Sequence, residues 1–113
     1  MDEKAAVAAL SALAHLGRLS VFRLLVQAGE AGLPAGEIAR RIGCPPNTLS
    51  ANLNLLNHAG LVRSLRQGRS ILYSAEYARM TELLGFLVED CCGGAPEVCA
   101  PLAAIAARPA CCA

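Results

Sequence analysis

Five of the six cysteines of this chain lie between residues 91 and 112, and three of them share one short segment. That segment reads Asp90-Cys91-Cys92-Gly93-Gly94-Ala95-Pro96-Glu97-Val98-Cys99, and a second pair, Cys111-Cys112, follows near the end. Exposed thiols oxidise readily, so such a density calls for a use. Three chemistries fit: a disulfide staple, a site for a soft ion, or a redox switch. The elements that precede the thiols must decide between them. Cys44 stands apart, before a Pro-Pro turn, and reads as a small packing residue.

Residues 3–14 space Val7, Leu10, Leu13 and Ala14 three or four apart, the pattern of an amphipathic helix. Gly17 interrupts, and a second helix is predicted over 18–28. Gly29 and Gly32 break it, and Leu33-Pro34 leads into a short third helix over 35–42, with Gly43 as its stop. Proline suits a first helical turn, so Pro46 opens a fourth helix that runs to 59 and stops at Gly60. Two helices joined by a tight turn form a helix-turn-helix. The period then becomes that of strands. Residues 61–66 and 70–74 flank Gln67-Gly68-Arg69, a β-hairpin with arginines near its tip. A last helix is predicted over 76–90, with Met80, Leu83, Leu84, Leu87 and Val88 on one stripe. The fold class is mainly α with a β-hairpin: a winged helix-turn-helix with five main helices, in the order α-α-α-α-β-β-α. Residues 1–92 form its one domain, and 93–113 a cysteine-containing tail.

A chain of 113 residues fits one domain with a modest core, and 55% hydrophobic residues predict extensive burial or a dimer interface. Ten basic and nine acidic side chains leave a net charge of +1, so any DNA contact must come from local placement of arginines. No apolar run approaches about 18 residues, and no membrane helix is expected. The start, Met1-Asp2-Glu3-Lys4, is acidic and does not look like a signal peptide. A cytoplasmic location follows as an expectation. Thiols stay reduced there, which weakens the disulfide reading and strengthens ion binding.

On the fourth helix Leu49, Leu53 and Leu56 fall within one arc and should face the core. Asn47, Ala51, Asn54 and His58 fall opposite, with Ser50 beside them. Small polar side chains suit the major groove, where Asn pairs with adenine and Ser with bases or phosphates. The N-terminal part of such a helix goes deepest, so Asn47, Thr48, Ser50, Ala51 and Asn54 are the candidate base-side residues. Arg66 and Arg69 at the hairpin tip, with Arg63 nearby, can hold phosphates or enter a minor groove. The reading helix itself contains no Lys or Arg.

Several motifs now occur in a recognisable order: Leu13-Ala14-His15-Leu16-Gly17-Arg18-Leu19, Gly36-Glu37-Ile38-Ala39, Thr48-Leu49-Ser50-Ala51-Asn52-Leu53, Ala59-Gly60-Leu61-Val62 and Arg66-Gln67-Gly68-Arg69-Ser70-Ile71-Leu72-Tyr73. Together they resemble the ArsR/SmtB family of winged-helix repressors that respond to metals and metalloids, over about residues 5–90. The resemblance implies a homodimer joined by the first and last helices, which makes Leu10, Leu13, Met80, Leu83, Leu84 and Leu87 interface residues. It also implies binding to a partly palindromic operator in double-stranded DNA, released by an inducer. Two departures stand out. Family members often carry Arg-His where this chain has Ala51-Asn52, and an acidic-Pro turn where it has His15-Leu16.

The family places inducer sites in several positions. One arsenic site uses cysteines in the third helix, and here Glu37-Ile38-Ala39-Arg40-Arg41 offers none. One zinc site pairs His with carboxylates on the last helix, which here has no histidine. The cluster Cys91, Cys92 and Cys99 resembles the arsenite site of a subgroup with Cys-Cys and a third Cys after the last helix. Cys111 and Cys112 are accessory candidates. As(III), and with it Sb(III), is soft and takes three thiolates, whereas structural zinc takes four ligands. Alternatives are a sensor of Cd, Pb or trivalent organoarsenicals, or a thiol redox-responsive repressor. No enzyme is expected: a thiol arsenate reductase of one common form needs Arg six residues after Cys, and that position after Cys44 is Ser50.

Overall fold

A computed structural model describes residues 1–89. They form α1 (Glu3–Leu13), α2 (Leu16–Ala28), β1 (Leu33–Pro34), α3 (Ala35–Ile42), α4 (Pro46–His58), β2 (Val62–Gln67), β3 (Ser70–Ala75) and α5 (Tyr77–Val88). The expected winged helix-turn-helix is there, with α3 and α4 as the helix pair and β2–β3 as the wing. Cys91, Cys92, Cys99, Cys111, Cys112 and the whole of the 93–113 tail lie outside the described residues.

Asp2 starts α1 by accepting the Ala5 N–H on Oδ1 at 2.7 Å, a carboxylate N-cap. The inward face of this helix is made of alanines: Ala6, Ala9 and Ala12 are buried. The larger Val7 and Leu10 point outward, 64% and 41% exposed. Small side chains inside let α1 lie close to α2 and α4, and they leave the bulky apolar groups without cover.

The junction of α1 and α2 departs from expectation. Gly17 does not interrupt; it lies in the first turn of α2, which begins at Leu16. His15 is the N-cap, its Nδ1 accepting the N–H groups of Gly17 at 3.1 Å and Arg18 at 3.4 Å. The imidazole lone pair does the work usually left to Ser, Thr, Asp or Asn. His15 therefore fills, by different chemistry, the place of the acidic residue in the acidic-Pro turn. Arg18 reaches back across the junction. Its Nε donates to the Ala12 carbonyl at 2.5 Å, satisfying a group that the end of α1 leaves unpaired, and its Nη2 to that of Ser11 at 3.4 Å, which also accepts the Ala14 N–H at 3.3 Å.

The core gathers Val21, Phe22 and Leu25 of α2, Ile38 of α3, Leu49, Leu53 and Leu56 of α4, then Leu61, Val62, Ala75 and Leu83. Cys44 is half-buried and packs against it, as expected. One element was not foreseen. Leu33–Pro34 pairs antiparallel with β3 (Leu33 opposite Tyr73, Pro34 opposite Leu72), giving the sheet order β1-β3-β2. Two residues, one of them proline, carry no period to read. Gly32 makes the approach feasible: its φ is +75°, and a Cβ there would stand 2.5 Å from the Tyr73 carbonyl oxygen.

The α5 stripe divides. Leu83 is only 4% exposed and Met80 is half-buried against the same core, while Leu84, Leu87 and Val88 are 53%, 51% and 39% exposed. Leu83 is thus corrected from an interface residue to a core residue of its own protomer. A stripe with i, i+3, i+4 spacing is wide enough to serve two neighbours, and its spacing alone does not divide it. Leu13 is likewise half-buried against the core. At the start of α5 the Tyr77 hydroxyl donates to the Val26 carbonyl at 2.9 Å, tying this helix to the last turn of α2. Among the described residues no single helix is long and apolar enough to cross a membrane.

Candidate nucleic-acid interface

Gly43 ends α3, its N–H bonding the Ala39 carbonyl at 2.8 Å. Cys44 and Pro45 complete the turn, and Pro46 takes the first position of α4, where its missing N–H costs nothing. No side chain caps this N-terminus. The unpaired N–H groups of the first turn therefore face outward at the positive end of the helix, where anions are favoured.

Along α4 the two faces separate as the spacing predicts. Leu49, Leu53 and Leu56 are buried, and Asn47, Thr48, Ser50, Ala51, Asn54 and His58 are exposed. The structure brings the five base-side candidates onto the open side of one helix, weighted to its N-terminal half. Asn52 is different. It is buried, and its Nδ2 is 3.1 Å from where a Cβ on Gly17 would stand. The Ala51-Asn52 departure therefore splits: Ala51 lies on the open side, while Asn52 packs beneath the start of α2.

The wing is an antiparallel ladder from Val62–Ala75 at its base to Gln67–Ser70 at its tip. Only Gly68 and Arg69 remain for the turn. Gly68 has φ +60°, the positive value that both common two-residue hairpin turns require at their first position. Arg69 stands at the tip, and Arg66, opposite Ile71, one pair below Gln67–Ser70. Arg63 does not join them. It sits near the base opposite Ser74, on the other face of the ladder from Arg66, because side chains alternate along a strand. Its Nε donates to Ser74 Oγ at 3.0 Å, so part of its hydrogen-bonding capacity is spent within the protein.

A further charged group was missed, although its spacing of three and four residues announces it. Glu37 on α3 accepts Arg40 Nε on Oε2 at 3.0 Å, Arg40 Nη2 on Oε1, and Arg41 Nε on Oε1 at 2.8 Å. The hydrogen bonds from Arg40 and then Arg41 hold its carboxyl down at about 2, and the carboxylate in turn raises Arg40 above the usual guanidinium value.

A helix-turn-helix with an open polar reading face and a basic wing tip is the architecture of a DNA-binding regulator. Comparison with known proteins agrees. A helix-turn-helix domain model matches residues 13–64. The HTH-type transcriptional regulator NmtR of Mycobacterium tuberculosis is 34% identical over 84 residues, which span 74% of this chain and 70% of that one. Two solved structures share the fold. An ArsR-like transcriptional regulator from Rhodococcus sp. RHA1 has a TM-score of 0.67 at 27% identity over 90% of both chains. The homodimeric winged helix-turn-helix DNA-binding domain of Mb0332 from Mycobacterium bovis has a TM-score of 0.61 at 30% identity, over 77% of this chain and 81% of that one. The chain belongs to the ArsR family of winged helix-turn-helix transcriptional regulators.

Proposed function

We propose that the protein is an arsenite-responsive repressor. It binds operator DNA as a homodimer and releases it when As(III), or Sb(III), is taken by the thiolates of Cys91, Cys92 and Cys99. The observation that carries this reading is where chelating side chains are and are not. Among the described residues no three His, Cys, Asp or Glu side chains come together as an ion site. The thiol-rich segment begins three residues after the last residue of α5.

The dimer reading draws on Val7, Leu10, Leu84, Leu87 and Val88, which leave α1 and α5 with large apolar groups facing out. The Mb0332 domain, which is homodimeric, lends further support. Dimerisation pairs two reading helices and two wings on a two-fold operator. Asn47, Thr48, Ser50, Ala51 and Asn54 read bases there, and Arg66 and Arg69 hold phosphates. An ion bound beside the end of α5 alters how the two copies of that helix pack. The change reaches α4 through α2, which Tyr77 ties to α5 and which packs on Asn52 at Gly17. Coupling of about 1–3 kcal/mol, the usual range for linked sites, weakens operator affinity about 5- to 150-fold. Each thiol gives up a proton on binding, so arsenite affinity falls in acid.

The test is a DNA-release titration with arsenite on the wild type and on Cys91→Ser, Cys92→Ser and Cys99→Ser. Each substitution should raise the arsenite concentration needed for release by at least about tenfold. Release of all three variants at the wild-type concentration rejects the three-thiol site. Release by peroxide alone points to redox control instead.

A further inference from the structure

The reading helix α4 has no cation, yet most DNA affinity comes from neutralising phosphates. Two arginines stand just upstream of it. Arg40 and Arg41 occupy the last turn of α3, directly before the turn that leads into α4. Five residues of chain carry Arg41 to Pro46, so the two backbone positions are at most about 18 Å apart. Both side chains are open to solvent, 69% and 45% exposed. In a helix-turn-helix the first helix crosses the DNA backbone while the second enters the groove.

The arginines are also pre-shaped. Arg40 holds the Glu37 carboxylate in a two-point fork through Nε and Nη2, and Arg41 adds a third bond through Nε. A guanidinium fork of this kind accepts a phosphate in the same way. Exposed ion pairs contribute little to stability, so these arginines can exchange their partner at little cost to the fold.

We infer that Arg40 and Arg41 form a phosphate clamp beside the groove that α4 enters, with Glu37 occupying the clamp until a DNA phosphate displaces it. The clamp rests on the reading of α4 and the wing as the DNA-binding face. It supplies the charge that α4 lacks, and it does so twice in a dimer. Glu37 keeps the guanidinium groups ordered in the free protein and makes them exchange one anion for another on binding.

The experiment uses a duplex selected by the wild-type protein from a random-sequence pool, with affinity followed by fluorescence anisotropy between about 50 and 200 mM salt. Arg40→Gln and Arg41→Gln each remove one contact per protomer. Each should flatten the slope of log affinity against log salt by about 1.8, roughly a twelvefold smaller loss across that range. Arg79→Gln makes the same charge change beside Gly60, at the opposite end of α4, and should keep the wild-type slope. Glu37→Gln should bind several-fold more tightly, since nothing then competes for the clamp. Wild-type slopes for both arginine variants, or a Glu37→Gln variant no tighter than wild type, overturn the clamp. The wider reading stands in that case if Arg69→Gln still weakens binding. A wild-type protein that selects no duplex overturns both.

Discussion

Replacing Leu84 and Leu87 together by serine should dissociate the proposed dimer without unfolding the protomer. Fully burying a leucine is worth about 1.5–3 kcal/mol. These two retain 53% and 51% of their surface in the protomer, so each has about 0.8–1.5 kcal/mol still to gain at an interface. A two-fold axis presents four such side chains, about 3–6 kcal/mol in all, or two to four decades in Kd at about 1.4 kcal/mol per decade. Sedimentation over a range of concentrations reads this directly. Leu83→Ala makes the complementary measurement. Leu83 is 4% exposed, and its truncation should lower protomer stability by about 2–5 kcal/mol through the cavity it leaves. Two results are incompatible with the division of α5 described above. One is a Leu84→Ser, Leu87→Ser variant that sediments as the wild type does. The other is a Leu83→Ala variant that dissociates while melting normally.

Gly32→Ala should destabilise the fold by at least about 1–2 kcal/mol from the left-handed backbone alone. More is expected because the new methyl meets the Tyr73 carbonyl at 2.5 Å. A fall in melting temperature of about 5 °C or more is the expected reading, and a change within about 1 °C denies the close approach of β1 to β3. Acid titration of stability tests the α3 cluster. The Glu37 carboxyl is depressed from 4.5 to about 2, so the stability it contributes is complete above 4.5 and is lost as pH falls towards 2. The difference in melting temperature between wild type and Glu37→Gln should shrink across that window. The group is exposed, so the difference is small and shrinks further in salt. A difference that holds constant down to about pH 2 means the pairing is absent in solution.

The elements were legible wherever period and punctuation agreed. Pro46 and Gly60 bracket α4, and the alternation of 61–66 with 70–74 around Gly68 announces the wing. What escaped was set by partners distant in sequence or by unusual chemistry. The strand at Leu33–Pro34 exists because Tyr73 and Leu72 lie beside it. His15 caps a helix, a role that composition rules assign to Ser, Thr, Asp or Asn. Gly17 reads as a break, yet it sits in the first turn of α2 with Asn52 of α4 close against it. On α1 the spacing of Val7, Leu10, Leu13 and Ala14 announces an apolar face, yet it is Ala6, Ala9 and Ala12 that are buried, while Val7 and Leu10 stay exposed. Periodicity finds an apolar face, but it does not say whether that face meets its own core or another chain. The same ambiguity divided α5.

The distribution of charge explains how a chain with a net charge of only +1 can serve on DNA. Net charge governs long-range steering, while affinity depends on the number of phosphates neutralised at contact. Here the reading helix is left uncharged and the cations flank it, Arg40 and Arg41 on α3 and Arg66 and Arg69 on the wing. Such an arrangement separates two functions. In the proposed complex Asn47, Ser50 and Asn54 would discriminate bases with little non-specific attraction of their own, and the flanking arginines would set affinity and its salt dependence without reading sequence. Substitutions on α4 should therefore change which duplex is preferred while leaving the salt slope alone, and substitutions at the flanks should do the reverse. On the proposed mechanism it also leaves release within reach of a modest inducer effect. The phosphate contacts proposed for α3 and for the wing would both have to be in register, and a small displacement of one protomer of the proposed dimer against the other would weaken the two sets together.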